Sequence, residues 1–180
     1  MHIEKNCCDN STNTLLNAPG KTKDTKASRE DMSSMGIRPE LAPQKRGARD
    51  YLLPATHTLS KKEKKEFCEC LYGIKVPEGY SSNIRSLVSM QDLKLTGLKS
   101  HDCHTLMQQL LLVAIRSILP KNVRYANTRF CNFFHAICNK VIDPNETESL
   151  ENMVITFFCE LKMYFPPTFF TFLFHLTFLF

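Results

Sequence analysis

The sequence contains no tryptophan, only six glycines, and no apolar run long enough to cross a bilayer. Each shortage excludes something. Collagen-like repeats are ruled out, and so are chain-wide disorder and a coiled coil. The glycine-dependent signatures are missing as well: there is no P-loop, no G-x-G-x-x-G turn and no G-x-S-x-G elbow. The longest uncharged apolar run, Thr168 to Phe180 (TFFTFLFHLTFLF), has 13 residues, whereas a spanning helix needs roughly 20. It is expected to be a core helix, or one that has lost its packing partner, and no membrane partner is expected. Met1 to Asn10 carries Glu4, Lys5 and Asp9 where an export signal needs unbroken apolar sequence. A nuclear or cytoplasmic, non-secreted protein is therefore expected, and the eight cysteines read as reduced thiols.

What is present is a chain of 180 residues with a net charge of +5 and 43% hydrophobic residues. That is enough for one sizeable core, and the excess of positive charge is too small to identify a polyanionic partner. The distribution says more. Residues 1 to 75 hold 14 basic and 10 acidic side chains, and nine of the 13 phenylalanines fall between 157 and 180.

The periodicity predicts a mainly α fold, an irregular helical domain entered through a flexible, polar N-terminal arm. Residues 1–17 form a short helix. Residues 20–58, with Pro39, Pro43 and Pro54, read as a linker containing at most one short helix near Ala27 to Met35. Ser60 and Glu63 match a capping box and start a helix over 61–72. Ser81 or Ser82 caps a second helix running to about Met90. His101 to Leu119 carries apolar residues at three- and four-residue spacing on a wide face. Two further stripes follow: Val123, Phe130, Phe134, Ile137 and Val141, closed by Asp143-Pro144, then Leu150, Val154, Phe157, Phe158 and Leu161, closed by Pro166-Pro167. No strand is expected. The division is 1–58 for the arm and 59–180 for the helical domain.

Four groupings have chemical potential. His101, Cys103 and His104 are metal-ligand types, but their spacing, and that of Cys68 and Cys70, is poor for a tetrahedral zinc site. No metal and no cofactor are therefore expected, with that trio as the alternative. Cys103 between two histidines is the one candidate nucleophile, and adjacency in sequence does not orient a base in space. Paired carboxylates on a rigid scaffold are lacking, so no catalytic residue is assigned. The basic clusters remain. Lys61, Lys62, Lys64 and Lys65 make one, diluted by Glu63, Glu66 and Glu69, with Lys45, Arg46 and Arg49 preceding it. Arg116, Lys121, Arg124 and Arg129 make another around Pro120, where a helix start also offers free N–H groups to phosphate. The second is the better candidate for nucleic-acid contact.

Several longer strings share a family likeness. MHIEKN (1–6), PGKTKD (19–24) and MGIRPELAP (35–43) resemble the end of the transposase region of plant CACTA (En/Spm-type) transposon proteins. LSKKEKKEFCECL (59–71), VPEGYSSNI (76–84), LKSHDCHTLMQQLL (98–111), ILPKNVR (118–124) and MYFPPTFF (163–170) resemble the uncharacterised plant domain that follows it. The resemblance implies that the acidic transposase core lies upstream of residue 1, that the helical domain continues beyond Phe180, and that this chain is a non-catalytic remnant. It leaves the assignment of Glu4 to a family acidic position open. It also implies an apolar residue at Asn127 and an Asn at His135. The expected role is a nucleic-acid-associated accessory module. The alternatives are a protein-interaction module packing against transposase or itself through the Phe-rich tail, and a non-functional gene product. DNA and transposase are thus the candidate partners, with no small-molecule substrate.

Overall fold

A computed structural model describes residues 2–75, 83–138 and 147–170. Its helices are α1 (His2–Leu15), α2 (Lys26–Ser34), α3 (Lys61–Gly73), α4 (Ser100–Thr105), α5 (Leu111–Ile115), α6 (Lys121–Ile137) and α7 (Thr147–Tyr164). A π-helical turn, Leu106–Leu110, joins α4 to α5. Two antiparallel hairpins complete the framework, β1 (Gln44–Arg46) with β2 (Arg49–Tyr51) and β3 (Val88–Ser89) with β4 (Lys94–Leu95). The chain is mainly α, as its periodicity predicts.

Local chemistry sets the helix ends. Ser60 accepts from the Glu63 N–H and the Glu63 carboxylate accepts from the Ser60 N–H at 2.7 Å, the reciprocal pairing expected of S-x-x-E. Thr25 and Ser28 do the same at the start of α2. Helix α2 ends in a Schellman turn: Gly36 adopts φ +68° and the Ile37 N–H returns to the Met32 carbonyl. Without a Cβ, glycine takes this left-handed position at no steric cost. Asn17, at φ +43°, ends α1 in the same way.

Helices α6 and α7 pack along each other, and their facing stripes supply an aromatic cluster in which Phe130, Phe133 and Phe158 surround Phe157 at centroid distances of 5.0–5.5 Å. Helix α1 crosses α4, and α3 packs against α5. Here the structure corrects the expected arm. Cys7, Cys8 and Leu15 of α1, with Leu16 just after it, are buried in the same core as Phe67, Phe130 and Phe157, so residues before 58 share that core. The polar stretch 20–58 is held by a buried network. Asp24 takes two 2.7 Å hydrogen bonds from Arg29, and Arg29 also donates to the Leu53 carbonyl. His57 Nδ1 lies 2.8 Å from the Tyr164 carbonyl, and its ring stacks on Phe165 at 4.7 Å. The Arg38 guanidinium caps the end of α7 by donating to the carbonyls of Tyr164 and Phe165.

Two further expectations differ. The helix expected to reach Met90 is a 3-10 turn, Ile84–Leu87, followed by β3, and its proposed caps Ser81 and Ser82 lie outside the described residues. Strands do occur, as hairpins of two or three residues a side, too short to leave an alternating pattern. Val141, Asp143-Pro144 and residues 171–180 of the Phe-rich run also lie outside the described residues. Within the run, Phe169 is fully buried and stacks on Phe165 at 4.3 Å. Among the described residues, no helix is long and apolar enough to cross a membrane.

Candidate functional site

The two basic clusters have different fates. On α3, Lys62 sits 3.8 Å from Glu66 and Lys65 sits 3.5 Å from Glu69, one helical turn on, so much of their field is spent on the helix itself. Lys61 is exposed. Lys64 points elsewhere: it is half-buried and lines a cleft of about 240 Å3 together with Asn17, Asp24 and Arg29, where burial pulls its pKa down. The four lysines therefore do not form one surface.

The α5–α6 corner is more coherent. Pro120 is the N-cap of α6 and, among the described residues, no side chain caps the helix, which leaves the N–H groups of its first turn without a side-chain acceptor beside Lys121. Tyr125 stands half-exposed on that first face, with Lys121 Nζ at 5.7 Å and the Arg124 guanidinium at 5.9 Å from its ring centre. Arg124 reaches back to the Arg116 carbonyl, and exposed Arg129 is 3.3 Å from Glu160 of α7. The spacing makes this possible. Residues 121, 125 and 129 fall one turn apart and share a stripe. Tyr125 is the residue that the charge pattern alone passes over, although an aromatic between Lys121, Arg124 and Arg129 is a readable signal of a stacking platform among cations.

The metal-ligand trio read from His101-Asp102-Cys103-His104 is not assembled. His101 Nε2 contacts its neighbour Asp102 at 3.2 Å, while Cys103 is fully buried beside Cys8. A short helix sends successive side chains to different sides, which separates the three. His104 alone goes somewhere useful. Its Nδ1 lies 3.0 Å and 3.1 Å from the two oxygens of Glu4, a carboxylate only 2% exposed in the first turn of α1. Among the described residues, the donor atoms of Glu4, His104 and Cys138 form the one convergent group of possible metal ligands, all within 4.8 Å of one another. Gln108, on the π turn, donates to Glu4 at 3.5 Å and to the Phe134 carbonyl at 3.1 Å, and its oxygen meets His135 Nδ1.

Four buried thiols, Cys7, Cys8, Cys68 and Cys131, are poor nucleophiles. A hydrogen bond with Cys103, followed by burial, raises the Cys8 pKa, and burial raises that of Cys7. Burial also pushes Cys131 up to about 12 and Cys68 to about 11. A thiol in that condition is not ionised near neutral pH. Comparisons of the chain with protein-family models, curated proteins and solved structures found no match.

Proposed function

We propose that the protein is a non-catalytic, nucleic-acid-associated accessory module derived from a transposon protein of the CACTA type, and that the α5–α6 corner is its contact surface. The observation that carries the reading is the exposed Tyr125 ring, flanked by Lys121 and Arg124 at an uncapped helix start. Lys and Arg release counterions when they meet phosphates, and the free N–H groups of α6 add a favourable dipole end. A tyrosine offers a sequence-tolerant surface on which an unpaired base can stack. The combination suits single-stranded or locally opened nucleic acid better than an intact duplex. The transposon origin rests on the sequence strings alone.

The test is fluorescence anisotropy with a labelled single-stranded oligonucleotide and its duplex across a salt series. Replacing Lys121, Arg124 and Arg129 together by Ala should reduce the single-strand salt slope by about 2, at roughly 0.7 per phosphate neutralised. Tyr125→Ala should weaken the single-stranded complex by about 1–3 kcal/mol and leave duplex binding nearly unchanged. Binding that is the same for the triple variant and the parent at low salt disproves the proposal. A second reading, a protein-interaction module, draws on Ile155 and Met163, which stand 54% and 64% exposed on α7. Concentration-dependent assembly in sedimentation, abolished by Ile155→Lys, would favour it.

A further inference from the structure

Glu4 raises a problem that the nucleic-acid reading does not address. Its carboxylate is almost fully buried, yet among the described residues no Lys or Arg pairs with it, and its ion-pair partner is His104, which carries charge only when protonated. A buried charge without a compensating cation costs free energy, so native structures pair it or give it a metal. Around it lie two further ligand types from distant parts of the chain, His104 at the end of α4 and Cys138 at the C-cap of α6.

We propose that Glu4, His104 and Cys138 form a zinc-binding site with its remaining coordination position open to solvent. The separations fit. Tetrahedral zinc with bonds of about 2.0–2.3 Å to O, N and S sets its ligand atoms roughly 3.3–3.7 Å apart. The 3.0–3.1 Å between Glu4 and His104 and the 4.8 Å limit on the whole set need adjustments of a few tenths of an ångström to about one. His104 and Cys138 are exposed, which supplies the entry path, and Glu4 forms the floor.

Charge and chemistry select the ion. A mixed carboxylate, imidazole and thiolate set suits zinc and disfavours magnesium or calcium, which take oxygen ligands. On binding, the Cys138 thiol gives up its proton to solvent and His104 coordinates in its neutral form through Nδ1. One carboxylate and one thiolate then balance the two positive charges of the ion. The C-terminal end of α6, where Cys138 sits, adds the negative end of a helix dipole. Supporting contacts are already in place, since Gln108 steadies Glu4 and His135 steadies Gln108.

The test uses the full chain, purified under reducing conditions and stripped with a chelator. Zinc titration by calorimetry is expected to give one sub-micromolar site and a proton release that depends on buffer ionisation. Cobalt(II) in its place is expected to show a thiolate-to-metal charge-transfer band. His104→Ala and Cys138→Ser change exposed residues and should fold; each should weaken binding by more than about tenfold, the scale seen even for supporting residues, and Cys138→Ser should abolish the band. His101→Ala and Cys159→Ser should bind as the parent does. The proposal is overturned if no stoichiometric site is found, if the cobalt complex lacks the band, or if Cys159→Ser weakens binding as much as Cys138→Ser does.

Discussion

Replacing Asp24 by Asn should be among the most damaging single changes in the chain, although it alters one atom. The Asp24 side chain is 7% exposed and that of Arg29 only 3%. The two form a bidentate pair at 2.7 Å, and His57 Nε2 stands 3.3 Å from the second oxygen, too poorly aligned for a good hydrogen bond but close enough for charge. Burial works to raise the Asp24 pKa and is the largest single influence on it. The hydrogen bonds from Arg29 and the contact with His57, reinforced by both charges, outweigh it and hold the carboxyl well below the usual carboxylate range. Asp24→Asn leaves a buried guanidinium with carbonyl partners but no counter-charge, a situation that costs about 3–5 kcal/mol. With a urea dependence of about 2 kcal/mol per molar, typical of small domains, the unfolding midpoint should fall by about 1.5–2.5 M. Removing both partners, as Asp24→Leu with Arg29→Met, takes away both charges together and should cost less than Asp24→Asn alone. The pH dependence carries a sign. Since the folded pKa is depressed, the Asp24 contribution is complete above the unfolded value of about 3.9 and fades as the pH drops below it. Asp24→Asn should therefore flatten the loss of stability in that acidic range. A midpoint shift under about 0.5 M, or a double variant as weak as the sum of the singles, would refute the reasoning.

Two other outcomes follow from buried polar and thiol groups. Asn127 is fully buried on α6, where its amide N–H donates to the Val123 carbonyl at 2.8 Å and, among the described residues, its Oδ1 has no partner. Asn127→Leu should raise stability by about 1 kcal/mol, seen as a melting temperature higher by about 2–4 °C; a lower one would show that the amide is satisfied or the site too tight. With a thiol reagent and no metal, exposed Cys159 should label first and exposed Cys138 slowly, at a rate that climbs with pH toward about 11. Cys7, Cys8, Cys103 and Cys131 are buried and should label only on unfolding; rapid native labelling of all eight would contradict the described core.

The elements that were legible in the sequence are those whose determinants are local. Ser60 and Glu63 lie three residues apart, and the stripes through Phe130 and Phe157 repeat every turn, so α3, α6 and α7 announce themselves. The π turn does not, because its apolar residues Leu106, Met107 and Leu110 fit an ordinary helix equally well, and only tertiary packing decides which hydrogen bonds close. The hairpins are equally silent, since three residues a side cannot display alternation and their register depends on a turn such as Gly47 at φ +63°. Residues 20–58 depart from their composition for a different reason. Low hydrophobicity suggests exposure, whereas Asp24, Arg29 and His57 are buried because Arg29 satisfies Asp24 and because Arg29 and His57 reach carbonyls up to 107 residues away. Polar composition predicts solvent contact only while the polar groups lack partners in the fold. The candidate metal site is hidden from the sequence in a similar way. His104 was visible as a ligand type, but its neighbours Cys103 and His101 diverge from it, and Glu4 and Cys138 reach it only after α1 and α6 have packed against the α4–α5 segment. Ligand spacing reports sites built within one turn or one helix face, and a site assembled by the core appears only with the core.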